Sequence, residues 1–190
     1  MAIAGLVSIS GCSGTAPRAS SAGRPPSVTT ASTHDHFARL GYQFTVPAGW
    51  SAREGSIDWE AGPAHKDLPD VDTFHARDGD PWLVVQKRPL SGHPSLSAWI
   101  AEMTAQEDIT YAECVAPEHE RPTTLGGEVA RMRAFHCAVD GPNALAVQVL
   151  ATHKGFGWVA LCYSESGKSG RIPAAEQQCS KWLQTFTFAD

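Results

Sequence analysis

Between Glu128 and Tyr163 the chain repeats one pattern: a long apolar-rich run closed by a turn signal. The runs are about Glu128 to Val139, Ala144 to His153 and Phe156 to Tyr163. Asp140-Gly141-Pro142-Asn143 separates the first two and Lys154-Gly155 the last two, both hairpin-type connections. Residues two apart in a strand share a face, so Phe156, Trp158, Ala160 and Cys162 line one side of the third run. Short connections of this kind dictate an antiparallel meander, and its apolar faces must be covered by other layers.

The flanking sequence supplies those layers. Tyr42-Gln43-Phe44-Thr45-Val46 alternates apolar and polar residues as a half-buried strand does, and Pro47-Ala48-Gly49 turns it into Trp50. Glu54-Gly55 reads as a turn before a strand at Ile57-Asp58-Trp59, and the Pro-containing stretch 62–70 reads as a loop. Val71 to Ala76 and Trp82 to Lys87 follow as strands, joined at Asp78-Gly79-Asp80-Pro81. Leu96, Trp99, Ile100 and Met103 fall at helical spacing behind Ser95, which is a good N-cap. After that helix, Ile109 to Val115 predicts a strand and Pro117 to Thr124 a charged loop. A second helix is predicted from Pro173 to Leu183, with Ala175, Cys179 and Trp182 as its apolar stripe, and Thr185 to Phe188 closes the chain as a strand. The fold class expected is α+β: an antiparallel β-sheet packed with two helices.

The amino-terminal part follows another logic. Ile9-Ser10-Gly11-Cys12 ends a short apolar segment and resembles a bacterial lipobox, in which cleavage before the cysteine is coupled to attachment of diacylglycerol to its thiol. Residues 1–11 would then be signal segment and Cys12 the acylated first residue of the mature protein. No Lys or Arg precedes Cys12, so either a basic region lies upstream of Met1 or the segment is an apolar tail with a chance cysteine. Residues 13–33 are nearly all Ser, Thr, Ala, Gly and Pro, too poor in large apolar side chains to offset the entropy of ordering. The expected organisation is a signal segment over 1–11, a lipid-anchored tether over 12–33 and one domain over 34–190.

Four cysteines remain besides Cys12: Cys114, Cys137, Cys162 and Cys179. An even set suits an oxidising compartment, and pairing Cys114 with Cys137 and Cys162 with Cys179 would join neighbouring elements. No spacing typical of a zinc site is present, and neither a metal nor a cofactor is expected. The net charge is −5 with no basic block, which argues against nucleic acid as a partner.

Several of these segments together resemble a known fold. Tyr42, Phe44, Val46, Pro47, Gly49 and Trp50 form an opening strand of the PsbP-like kind. Ser95-Leu96 followed by Trp99, then Leu125-Gly126-Gly127 followed by Ala130, and the closing helix with Phe186 and Phe188 extend the likeness over about residues 40 to 188. Small actinobacterial lipoproteins of the LpqN/LpqT type share this fold and the same anchor, stalk and domain. The resemblance implies helices on a sheet and a binding or assembly role, and it carries over no catalytic residue.

Other chemical signals are weaker. Gly167-Lys168-Ser169 lacks the upstream glycine of a phosphate-binding loop, Cys162 standing in its place. His34-Asp35-His36, Asp78 with Asp80, and Glu118 with Glu120 read as polar linker or turn chemistry. His119, His136 and His153 lie far apart. Trp50, Trp59 and Trp82 are the candidate ligand-binding residues, if they meet in an exposed groove. Two functions follow as expectations. One is a membrane-anchored, extracytoplasmic, non-enzymatic module that binds an unknown protein, lipid or envelope component. The other is an envelope hydrolase or transferase built from dispersed His and acidic residues.

Overall fold

Strands whose two faces are both apolar must be sandwiched, and β9 shows how far this goes: its first eight residues, Ala144 to Ala151, are all buried. The computed structural model describes residues 28–30, 36–57, 66–77, 81–92, 95–110, 117, 119–137, 144–164 and 171–189. In chain order these form β1 (Val28–Thr30), β2 (His36–Arg39), β3 (Tyr42–Thr45), β4 (Ser51–Ile57), β5 (Lys66–His75) and β6 (Trp82–Pro89). Then come α1 (Leu96–Thr110), β7 (His119–Leu125), β8 (Glu128–Cys137), β9 (Ala144–His153) and β10 (Phe156–Ser164). The chain ends with α2 (Ile172–Trp182), a 3₁₀ turn (Leu183–Thr185) and β11 (Thr187–Phe188).

Eight strands make one sheet in the order β1-β4-β5-β6-β10-β9-β8-β7, and three make a second in the order β11-β3-β2. All described pairings are antiparallel. The α+β class expected from the sequence is therefore the observed one. Strand alternation divides the core in two. One face of the large sheet carries Leu83, Val85, Met132, Val147, Val149 and Trp158, covered by α2 and the small sheet through Cys179, Tyr42, Phe44 and Phe186. The opposite face carries Trp82, Val84, Phe135, Leu150, Val159 and Leu161, covered by α1 through Trp99 and Met103. Ser95 caps α1 as expected, its Oγ accepting from the Ala98 N–H at 3.3 Å. Trp99 is fully buried and donates its indole N–H to the Trp158 carbonyl at 3.3 Å, pinning the helix to β10.

Five segments differ from their reading in the sequence, the first four for a local reason. Val28–Thr30 pairs with β4, so the sheet begins inside the stretch assigned to the tether; three β-branched residues in a row favour a strand. Residues 119–125, read as loop, are β7, the edge of the large sheet, where Pro122 and the flanking charges are tolerated because one side of an edge strand needs no partner. β5 begins at Lys66 within the predicted loop; its Pro69 falls where the register jumps from Glu54↔Asp72 to Ser56↔Asp67. Gly55, read as part of a turn, is the bulge on the opposing strand at the same jump, with φ of 66°. Finally, α1 runs to Thr110, through the start of the strand expected at Ile109.

Candidate functional site

Charged groups and aromatic rings converge between the two sheets, beneath the β2–β3 hairpin. That hairpin turns at Leu40-Gly41 with φ of 58° and 92°, a left-handed pair that matches strand twist but strains a leucine. Arg39 and Tyr42, paired across the turn, sit over β5, and Phe37, Tyr42 and Phe44 pack about Phe74, Trp158 and Phe186.

At one end of this layer is Asp72, fully buried beside the β4–β5 register jump. Its Oδ2 accepts from the Tyr42 hydroxyl at 2.9 Å and its Oδ1 from the Gly55 N–H at 3.2 Å. The Arg39 guanidinium donates to Oδ1 as well and lies 3.9 Å from Glu54. Burial pushes the Asp72 carboxyl above its ordinary 3.8; Arg39, Tyr42 and the Gly55 N–H pull it back only in part. Burial, reinforced by the Asp72 charge, pushes the Tyr42 phenol well above 10.0. A carboxylate with both oxygens engaged and a phenol that keeps its proton make a lock between the sheets rather than a reactive pair.

The other end is built differently. Lys87 on β6 donates to the Leu40 carbonyl at 2.7 Å and lies over the Phe156 ring at 4.0 Å and the Trp158 ring at 5.4 Å. His153 on β9 meets Glu128 on β8, Nδ1 to Oε1 at 2.8 Å. The Phe188 ring from β11 stacks on His153 at 4.3 Å and 7°, and meets Trp158 at 5.1 Å and 55°. Gly126 lets it in: a Cβ there would fall 2.7 Å from the Phe188 ring. Two buried ring nitrogens, His153 Nε2 and Trp158 Nε1, have no hydrogen-bond partner among the described residues. A buried polar atom without a partner is uncommon in a native fold.

A second histidine–carboxylate pair lies on the sheet edge. The buried Glu176 of α2 meets His119 at 2.8 Å and accepts from Arg121 Nε at 3.0 Å, both on β7, so it clamps the helix to the edge strand. Glu120 is engaged by Arg131 at 3.3 Å and Arg133 at 3.8 Å.

Of the three tryptophans expected in an exposed groove, the two that are described, Trp50 and Trp82, do not share one. Trp50 is 8% exposed and packs on Trp182 under α2; Trp82 is 6% exposed and packs on Tyr163 under α1. They lie in separate cores on opposite faces of the large sheet, because the alternation of β6 sends Trp82 to the α1 side. Trp59, Cys12, Cys114, His34, Asp35, Asp78, Asp80, Glu118 and the Gly167–Ser169 segment lie outside the described residues, as does the Cys137 side chain. Cys162 on β10 and Cys179 on α2 are joined by a disulfide inside the core. Among the described residues no three His, Cys, Asp or Glu side chains converge as metal ligands, and no helix is long and apolar enough to cross a membrane.

No protein-family model and no curated protein matches the chain in sequence. Solved structures do match. The solution structure of cyanobacterial PsbP (CyanoP) from Synechocystis sp. PCC 6803 superposes with a TM-score of 0.55 at 14% identity, covering 81% of this chain and 91% of that one. The fold is PsbP-like. A Bacteroides thetaiotaomicron VPI-5482 protein matches with a TM-score of 0.51 at 9% identity, over 83% of this chain and 49% of its own. At such identities the likeness speaks for the PsbP-like fold alone, and function has to be argued from the site.

Sequence reasoning missed both ends of the interlayer row. Asp72 looked like one more polar residue of a strand, and nothing local to Tyr42 or Arg39 marks them as its partners. His153 was singled out, but as an isolated residue; its pairing with Glu128 was readable only from the hairpin register, in which β8 and β10 flank β9.

Proposed function

We propose that this chain is an extracytoplasmic lipoprotein, held on the cell membrane by acyl groups on Cys12, whose PsbP-like domain is a non-enzymatic binding or assembly module of the cell envelope. The observation that carries the reading is the buried Cys162–Cys179 bond, since such bonds form and persist where thiols are oxidised. Closing a loop of sequence separation 17 stabilises by about 3 kcal/mol in the chain-entropy model. The lipobox-like residues ending in Cys12 and the Ser/Thr/Pro-rich stretch after them support the anchor. The LpqN/LpqT-type lipoproteins that the sequence resembles have the same plan, and their described roles are binding or assembly.

The alternative, an envelope hydrolase, would use a histidine oriented by a carboxylate, and His119 with Glu176 has that form. His119 is 50% exposed, but Glu176 is committed to Arg121 and to holding α2, which favours a structural reading. For His153 the nitrogen opposite Glu128 is buried, closed to a substrate in this arrangement. The anchor is tested by Cys12→Ala: the native protein should sediment with membranes and the variant should be released. Equal membrane retention of both would overturn the acyl anchor.

A further inference from the structure

The large sheet has two edges, and they are guarded in different ways. β7 guards one with its own sequence: Pro122 stands at its middle with no N–H to offer, and α2 is clamped to it through Glu176, Arg121 and His119. The other edge would belong to β4, a seven-residue strand, were it not covered by β1. An uncovered strand presents a row of N–H and C=O groups on which another extended chain can pair.

The cover is drawn from the Ser/Thr/Pro-rich stretch near the amino terminus, and it is short. β1 has three residues, its one neighbour in the sheet is β4, and the register is Val28↔Arg53, Thr29↔Ala52 and Thr30↔Ser51. Pro25 and Pro26, just ahead of it, carry no N–H, so the ladder gains no donor from them. β4 does not depend on this contact. On its other side it pairs with β5 from Ser51 to Ile57, and Gly55 donates its N–H to the buried Asp72. Peeling β1 away would therefore leave β4 in place with its edge open.

The shape of that edge selects the occupant. β4 keeps one register from Ser51 to Glu54 and is then broken by the bulge at Gly55, whose N–H is turned inward to Asp72. Four regular residues suit a short extended segment, and Val28–Thr30 shows the direction and register in which one pairs. A seam of that length between two copies of the sheet falls well short of the area that a stable dimer buries. We infer that the β4 edge is a strand-acceptor site for an extended segment of a partner protein, free of proline and rich in β-branched residues, and that β1 is its built-in competitor. The partner segment adds antiparallel to Ser51–Glu54 where β1 now lies. The inference rests on the reading of the domain as a binding module and names the kind of partner it takes.

The test is titration of the full chain with the free peptide Ser-Val-Thr-Thr-Ala-Ser-Thr, the sequence of residues 27–33, read by the backbone amide resonances of Ser51 to Glu54. Neighbouring residues of a strand point their N–H groups to opposite sides, so Val28→Pro with Thr29→Pro must remove a donor from the β1–β4 ladder. This double variant should bind the peptide saturably and about tenfold more tightly than the native chain, in which the tethered β1 competes; one or two net ladder hydrogen bonds convert to roughly that factor. The same peptide with both prolines should shift nothing. No shift at Ser51–Glu54 in the variant, equal affinity of variant and native chain, or equal binding of the proline peptide overturns the proposal. So does a variant that sediments as a dimer and no longer takes the peptide, because the edge would then belong to a second copy. Should the variant not fold, the native chain decides: shifts centred on the Ser51–Glu54 amides at higher peptide concentration support the site, and their absence overturns it. None of these readouts depends on acylation of Cys12, so the edge and the anchor stand or fall separately.

Discussion

Asp72 and His153 occupy the same layer, each a buried or nearly buried ionisable side chain beneath the small sheet, yet they are solved in opposite ways. Asp72 has an explicit partner for each oxygen: the Tyr42 hydroxyl on one, the Gly55 N–H and Arg39 on the other. His153 is paired with Glu128 through one nitrogen, and its second nitrogen is buried with no hydrogen-bond partner among the described residues. The difference teaches where the fold is finished and where it is open. A fully paired buried node costs desolvation but fixes one arrangement, whereas an orphaned polar atom carries its desolvation cost with no hydrogen bond to offset it.

The comparison is most easily broken at Asp72. Replacing it with Ala leaves the Tyr42 hydroxyl, the Gly55 N–H and the Arg39 guanidinium without their common acceptor, and the expected loss is about 3–5 kcal/mol in urea denaturation. A loss under about 1 kcal/mol would mean that the node is not a lock between the sheets. His153→Phe should do far less, changing stability by about 1 kcal/mol, because it keeps a flat ring and gives up a single bond to the half-exposed Glu128 along with a buried nitrogen that has no partner. A loss as large as that of Asp72→Ala would show that His153 is satisfied after all.

The smallest effect is in pH dependence. Because burial raises the Asp72 carboxyl in the folded state, the folded protein keeps that proton at pH values where the unfolded chain has released it. The stability this supplies is fully present below 3.8 and is lost as pH rises through the raised value. Asp72→Asn, which retains an acceptor and cannot ionise, should therefore gain on the native protein as pH rises from 3.8 towards neutral. A gap that moves the other way would mean that Arg39 outweighs desolvation. Denaturation curves of the two proteins across that range decide it.

The same contrast explains how much of the molecule the sequence revealed. The meander was legible because hydrophobic alternation and turn residues are local signals, and 128–163 carries both at full strength. β7 and the start of β5 were not, because Pro122 and Pro69 argue against strands unless an edge or a bulge is known to receive them. β1 was hidden by the composition of the stretch around it. For the site, His153 was visible as a residue and invisible as a node, since its stacking on Phe188 joins the ninth and last strands. Asp72 had no sequence signal; its partners come from β2, β3 and the bulge of β4, brought together only by packing of one sheet on the other.

The central claim is that this domain works outside the cytoplasm on an acyl tether. Mass spectrometry of the amino-terminal peptide of protein taken from the membrane fraction addresses it directly. The account predicts a peptide that begins at Cys12 and carries diacylglyceryl on its thiol. A peptide that begins at Met1, with an unmodified Cys12, would contradict it.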